Sequence, residues 1–250
     1  MIRGLYTAAS GMVTAMRRLS VVTNDLANAQ TTGYKQERTA TTTFAQQLVF
    51  EEAARANSGE RGPLGLSNVA EEPELDLSQG SLEASGRTLD LALEGTGLFV
   101  VQTPNGTRYT RDGSFTRDAQ GNLVTNDGAA VMGEGGPIQL PDGELSISPD
   151  GTIAVDGAPF ARLRLVEFGL DQPLRRIGKN LLEPKDGGEP ALAVATNVRQ
   201  GFLEASNVDL TGAQTSMLEL QRAYEANQRM IQYQDDMMAR AVNDIARPVS

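Results

Sequence analysis

Apolar residues recur with a period of seven at both ends of this chain, and with a shorter, turn-punctuated rhythm between them. Near the N-terminus Leu5, Met12, Leu19 and Leu26 are spaced by seven, with Ala8, Ala15, Val22 and Ala29 three positions further on. That is an a/d pattern, and it predicts a helix from Ile2 to about Ala29, ended by Thr31-Thr32-Gly33. Gly33 can take the left-handed conformation that follows a last helical turn. The C-terminal segment repeats the pattern independently: Leu210, Met217, Tyr224, Ile231, Met238 and Ile245 are again seven apart. Thr211 followed by Gln214 reads as a capping box near its start. A helix from about Asn207 to Ala246 would run roughly 55–60 Å at 1.5 Å per residue. Few helices of that length lack a partner of similar length.

The supporting positions of both seams are thin. Ala8 and Ala15 are small, while Asn227 and Gln234 are polar. A fully buried leucine contributes only about 1.5–3 kcal/mol, so such a seam needs lateral partners from other chains to complete its burial.

Between the helices the pattern changes. Residues 36–75 are polar, with Thr39, Thr41, Thr42 and Thr43 clustered and the stretch Asn57-Ser58-Gly59-Glu60-Arg61-Gly62-Pro63, and they read as an extended connector. Residues 76–204 read as β. Turn signals recur at Asn105-Gly106, Asp112-Gly113, Gly121-Asn122, Asp127-Gly128, Asp142-Gly143, Asp150-Gly151 and Asp156-Gly157. Short β-prone runs lie between them: Leu98–Thr103, Ser114–Thr116, Leu123–Thr125, Leu145–Ser148 and Thr152–Val155. The expectation is an α+β protein: an N-terminal axial helix over 1–35, a connector over 36–75, an antiparallel β domain over 76–204, and a C-terminal axial helix over 205–250. The two long helices would form a coiled-coil-like layer. Its interface residues would be Leu5, Met12, Leu19, Leu26, Leu210, Met217, Tyr224, Ile231, Met238 and Ile245.

Composition narrows the chemistry. The 250 residues contain no cysteine and no histidine. Thiolate zinc sites, cysteine nucleophiles and a Ser-His-Asp triad are thereby excluded, and the commonest general base near neutral pH is missing. An absence of thiols suits an oxidising compartment. The net charge of −10 is uneven. Four basic residues face one acidic in 1–35, and four face six in 207–250, leaving the middle with eleven more acidic than basic residues. An acidic middle without a basic stripe argues against nucleic acid as a partner. No apolar run approaches the roughly 20 residues of a membrane span, and Met1 to Met16 lacks the apolar core of a secretory signal, so neither membrane insertion nor a cleaved leader is expected.

The acidic–glycine stretches do not build a calcium loop. Asp118 to Asn122 and Asn126-Asp127-Gly128 lack the alternating oxygen ligands and terminal glutamate, and read as hairpin turns. Nothing singles out one carboxylate pair of the kind a glycosidase uses. Gly133-Glu134-Gly135-Gly136-Pro137 lacks the lysine and following helix of a phosphate loop. The reading is a structural protein, not an enzyme, with no cofactor and no metal.

Several motifs, in order, resemble one family. Met1 to Met12 (Met-Ile-Arg-Gly-Leu-Tyr-Thr-Ala-Ala-Ser-Gly-Met) and Thr23 to Lys35 are similar to the opening of bacterial flagellar hook–basal-body rod proteins. The second departs from the family's usual Asn-Thr-Pro-Gly at Gln30 and Thr32, keeping Gly33 and Tyr34. Gln79-Gly80-Ser81-Leu82, Leu89 to Val101, Tyr109 to Phe115 and Asp118 to Gly128 resemble its β-domain blocks, and Gly201 to Leu210 and Gln221 to Asn227 its C-terminal signature. The chain length and Val131 to Ile138 are closer to the proximal-rod type than to the distal-rod type. The resemblance implies a subunit exported by the flagellar type III apparatus without a cleaved signal peptide. It would assemble with other copies of itself and with other rod and axial proteins through its terminal helices, in a periplasm-spanning shaft that transmits torque to the hook. The distal-rod paralogue, with which Gln221 to Asn227 is shared, is the first alternative; a secreted β-rich adhesin or carbohydrate-binding protein is the second, and it would present aromatic platforms, whereas tryptophan is absent and aromatics make up 5% of residues.

Overall fold

A computed structural model describes residues 2–39, 73–169, 172–178, 180–185, 187–193 and 195–245. Helix α1 spans Ile2–Ala27 and helix α2 spans Leu210–Ile245. At 1.5 Å per residue the 36 residues of α2 extend about 54 Å. Ala246, the expected last residue of that helix, lies outside the described residues. Its start is later than Asn207 but earlier than a cap at Thr211 requires: Asp209 immediately precedes the helix and Thr211 lies inside its first turn. The chain turns after α1, with Thr31 N donating to Asn28 O at 3.0 Å. Gly33 then takes φ +65°, and a Cβ there would stand 2.4 Å from Asp112 N, so only glycine fits.

The chain divides into two compact units. One comprises residues 1–26, 39–73 and 210–250, and so holds both helices. The other comprises 27–38 and 74–209, and is built of antiparallel strands. An α+β architecture with two long terminal helices and a central antiparallel β domain is therefore what the chain forms. Most of the connector expected over 36–75 lies outside the described residues. Its two ends form a short ladder, with β1 (Glu37–Arg38) beside β2 (Glu74–Leu75).

The main sheet forms around β5 (Leu98–Thr103) and β6 (Gly106–Thr110), an antiparallel hairpin closed by Pro104-Asn105 with Thr103 opposite Gly106. β9 (Ala130–Gly133) and β14 (Leu165–Glu167) also pair with β5, and β8 (Leu123–Thr125) links β9 to β7 (Phe115–Arg117). A second, three-stranded sheet runs β11 (Leu145–Ile147), β12 (Thr152–Val155) and β13 (Ala158–Arg162). The β12–β13 connection, Asp156-Gly157, has φ +51° and +80°, the double positive φ that an Asp-Gly turn supplies between twisted strands.

Asp112-Gly113 does not close a hairpin. β6 pairs with β5 and with β16 (Leu181–Pro184), whereas β7 pairs with β8, so the dipeptide carries the chain from one strand pair to another. Gly113 O there accepts from Leu91 N at 3.0 Å.

Alternation along β5 divides the core. Phe99 and Val101 enter the larger cluster with Leu91, Leu93, Phe115, Val131 and Ile153, while Leu98 and Val100 enter a second with Val166, Leu174 and Leu182. Both faces of β5 are covered, which is why Leu98–Val101 reads as a continuous apolar run. Phe99 and Phe115 meet edge to face at 5.0 Å between ring centroids.

Candidate functional site

Two features of the fold stand out: an ionic node within the β unit and a seam along the helices. The node begins at Gly33, whose N–H donates to Glu204 O at 2.8 Å. Tyr34, next in the chain, is buried; the Arg176 guanidinium lies 4.0 Å over its ring and donates to its hydroxyl at 2.7 Å. Lys35 follows, and its Nζ donates to Glu204 Oε1 at 2.6 Å and to Ser78 O at 2.7 Å. Arg111 reaches the other carboxylate oxygen, Nε to Oε2 at 2.5 Å. Its remaining nitrogens donate to the carbonyls of Leu93, Gly95 and Gly97. Gly80 N supplies a third donor to the carboxylate, at 2.9 Å.

Lys35, Arg111 and Glu204 are all fully buried. Two cations against one carboxylate leave an excess positive charge, and four backbone carbonyls turned onto the two cations offset it. Burial, the largest influence, pushes the Lys35 ammonium below its usual pKa, and Glu204 opposes that push. Asn207 ties the same segments together: its Oδ1 accepts from Gln36 N at 2.7 Å, and its Nδ2 donates to Asp76 O at 2.8 Å and Ser78 O at 3.1 Å.

The chain leaves α1 at Ala27 and enters α2 at Leu210, each six residues from the Gly33–Glu204 hydrogen bond. Farther out the two helices meet again, since a Cβ on Gly11 would stand 2.9 Å from Asn227 Nδ2. Gly11 lies sixteen residues before the end of α1 and Asn227 seventeen after the start of α2. Nearly equal distances from the end of one helix and the start of the other mean that the helices run antiparallel, side by side.

The heptad residues fall at matching distances on this scale: Leu26 with Leu210, Leu19 with Met217, Met12 with Tyr224, and Leu5 with Ile231. All but Leu210 are half-buried within the chain; Leu210 is exposed. Ala8, Ala15 and Ala213 are buried. Met238 is exposed and lies beyond the level at which α1 begins, as does Ile245, whose side chain is outside the described residues. α2 also carries Met230, Tyr233 and Met237 off the heptad series, at 52%, 67% and 60% exposure.

In the sequence Lys35, Arg111, Glu204 and Asn207 are letters within motifs, and nothing local assigns them a role. The available signal was a charged residue at a fixed place in three separate blocks, with complementary signs.

Two carboxylates in the β turns, Asp118 and Asp150, have the opposite bias to that of a general acid, which needs a raised pKa. Asp118 is held below its usual value by hydrogen bonds from the side chain and backbone of Asn122, and Asp150 by those from Thr152. A cleft of about 500 Å³ beside Leu163 and Leu165 is rimmed by charges with partners: Arg162 faces Glu134 at 3.5 Å, and Asp150 accepts from Thr152. Among the described residues no cluster of three or more acidic side chains could hold a metal, and no helix is long and apolar enough to cross a membrane.

Comparison with known proteins yields three family matches in chain order. Residues 5–35 match the flagella basal body rod protein family, residues 92–155 the flagellar hook protein FlgE/F/G D1 domain, and residues 199–244 the flagellar basal body rod FlgEFG protein C-terminal family. The flagellar basal-body rod protein FlgG of Bacillus subtilis is 34% identical over 267 residues, covering 97% of this chain and 99% of that protein. The flagellar basal-body rod protein FlgF of Caulobacter vibrioides is 32% identical, covering 99% of each. The flagellar hook-basal body complex protein FlhO of Bacillus subtilis is 31% identical, covering 99% of this chain and all of that protein. The first two matches join at the node, which takes Lys35 from one and Arg111 from the other, while Glu204 and Asn227 both come from the third. End to end, this chain belongs to the flagellar basal-body rod protein family.

Proposed function

We propose that the chain is a structural, non-enzymatic subunit of the flagellar basal-body rod, polymerising with copies of itself and other axial proteins into the shaft that transmits torque to the hook. One observation carries the reading. Met230, Tyr233 and Met237 form an apolar stripe on α2, outside the heptad series, that the described residues leave uncovered. A helix with a half-buried seam toward its partner and a second exposed apolar stripe has a surface to bury against a neighbouring subunit.

In this reading the terminal helices form a coiled-coil-like axial layer, with Leu5, Met12, Leu19, Leu26, Leu210, Met217, Tyr224, Ile231, Met238 and Ile245 in its interfaces. Residues 1–35 and 205–250 are its axial parts, 36–75 the connector and 76–204 the β domain. The subunit reaches the periplasm through the flagellar type III apparatus. The Val131–Ile138 segment favours the proximal-rod type, so the chain should restore motility to a strain lacking its proximal-type paralogue and not to one lacking the distal type.

The test is purification of basal bodies from cells whose copy of this protein carries a small epitope in the exposed Asp142-Gly143 turn. The tagged protein should co-purify with the rod, and Tyr233→Glu with Met237→Glu should remove it and abolish swimming. Basal bodies that lack the protein in a fully motile strain would overturn the reading.

A further inference from the structure

The heptad series that line the helical seam cannot by themselves decide how α1 and α2 are aligned. Leu5, Met12, Leu19 and Leu26 repeat every seven residues, as do Leu210 through Ile245. Sliding one helix by a heptad again sets apolar against apolar at almost every level, so a second set of positions must carry the discrimination.

A neighbouring row supplies it. On α1 the seven-spaced row is Gly4, Gly11, Arg18 and Asp25; on α2 it is Ala213, Leu220, Asn227 and Gln234. The approach of Gly11 to Asn227 fixes their relation, because the helices are antiparallel: Arg18 then falls level with Leu220, Asp25 with Ala213, and Gly4 with Gln234. Size is complementary where it is most constrained. Asn227 has no room for a side chain opposite it, and Asp25 and Ala213 are both buried. Gln234, one heptad past Asn227, has its Oε1 buried with no hydrogen-bond partner among the described residues. A seven-residue slip in one direction would drive the Asn227 amide against Arg18 and set the Asp25 carboxylate against Leu220. The opposite slip carries Gln234 past the start of α1 and surrenders a heptad of overlap.

We propose that Gly11 with Asn227 sets the register of α1 against α2, one side-chain amide fitted to a glycine whose place a larger residue takes one heptad toward the β unit. Polar groups in an apolar seam weaken it and make one alignment preferred over its neighbours. The linkage readouts concern one chain's own helices and stand apart from the rod reading, on which the swimming readouts rest.

The chain has no cysteine, so introduced pairs report register cleanly. In living cells, Leu19→Cys with Met217→Cys should be joined within one chain by a bismaleimide shorter than the roughly 10 Å rise of a heptad. Leu19→Cys with Tyr224→Cys should not be joined. Adding Asn227→Ala should allow both pairs to link. Gly11→Leu should abolish the in-register link and swimming, although leucine is the better helix former. Asn227→Gly in the same chain should restore both, although glycine is the poorer one. Linking of both pairs in the otherwise unaltered chain, linking of neither, or an unchanged single register with Asn227→Ala would overturn the proposal, as would a fully motile Gly11→Leu variant.

Discussion

Glu204 and Lys35 stand 169 positions apart in the chain and 2.6 Å apart in the fold, with the Glu204 side chain fully enclosed. Glu204→Ala would strand both Lys35 and Arg111 as buried cations. The expected loss is about 3–5 kcal/mol, as for other broken buried ion pairs. Arg38→Ala offers the contrast, because that arginine meets Asp76 at a similar 2.6 Å while 73% exposed, and should cost under about 1 kcal/mol. Urea unfolding of the purified chain, followed by far-ultraviolet circular dichroism, measures both; equal midpoints would remove the node from the account of stability.

Acid should weaken the β unit in a defined window. Burial alone would raise the Asp76 pKa, but hydrogen bonds from Ser78 and the charge of Arg38 outweigh it and hold the carboxyl below its ordinary 3.8. Asp118 and Asp150 are lowered as well. With folded-state values below the unfolded ones, the unfolded chain takes up protons first as pH falls. The stabilisation is complete above the ordinary carboxylate range and is lost as pH drops through the lowered values. The thermal midpoint should therefore stay level down to about pH 4 and fall below it. A triple Asn variant at 76, 118 and 150 should fall less steeply; an identical acid limb would refute the assignment.

In two acidic turns the charge should be dispensable and the glycine not. Asp112 Oδ1 accepts from Thr32 Oγ1 at 2.9 Å, Ser114 N at 3.0 Å and Ser114 Oγ at 2.7 Å, and an asparagine carbonyl can accept the same bonds. Asp150 accepts from Thr152 N through Oδ1 and from Thr152 Oγ1 through Oδ2; an asparagine carbonyl keeps the first bond and its Nδ2 donates to the hydroxyl instead. Asp112→Asn and Asp150→Asn should keep swimming-halo diameter and soluble yield. Gly113→Val should abolish folding, because a Cβ there would lie 1.7 Å from Leu91 O, and Gly151→Val should impair it through φ +82°. Immotile but stably folded Asp→Asn variants would point to a chemical use of these carboxylates.

Ile231→Asp should set a charge into the proposed seam. Motility should be lost while the circular dichroism of the strands is retained. A motile strain carrying the substitution at normal abundance would remove Ile231 from the seam.

Much of this fold was legible because its signals are local. Asp-Gly and Asn-Gly pairs marked most of the hairpins, Leu98–Thr103, Leu123–Thr125 and Thr152–Val155 coincide with strands, and the heptads located both helices to within a few residues. What remained hidden is non-local. Asp112-Gly113 carries the same letters as a hairpin turn, and only the approach of Leu91 shows that Gly113 is a crossing point. Lys35, Arg111 and Glu204 have no common periodicity, since an ion pair across 169 residues leaves none. Asn227 looked like a flaw in its seam until Gly11 was found opposite it.

Gly33 to Gln36 and Glu204 to Asn207 lie hydrogen-bonded side by side, so the chain enters and leaves its β unit through one narrow gate. Whatever is strung between those two short segments is, to the helices, a cassette. Strands can be added, lengthened or exchanged at the far turns without altering the spacing at which α1 ends and α2 begins, provided that Lys35, Arg111 and Glu204 still close the gate. A single helical pair can thus be inherited unchanged by proteins whose outer surfaces have little in common.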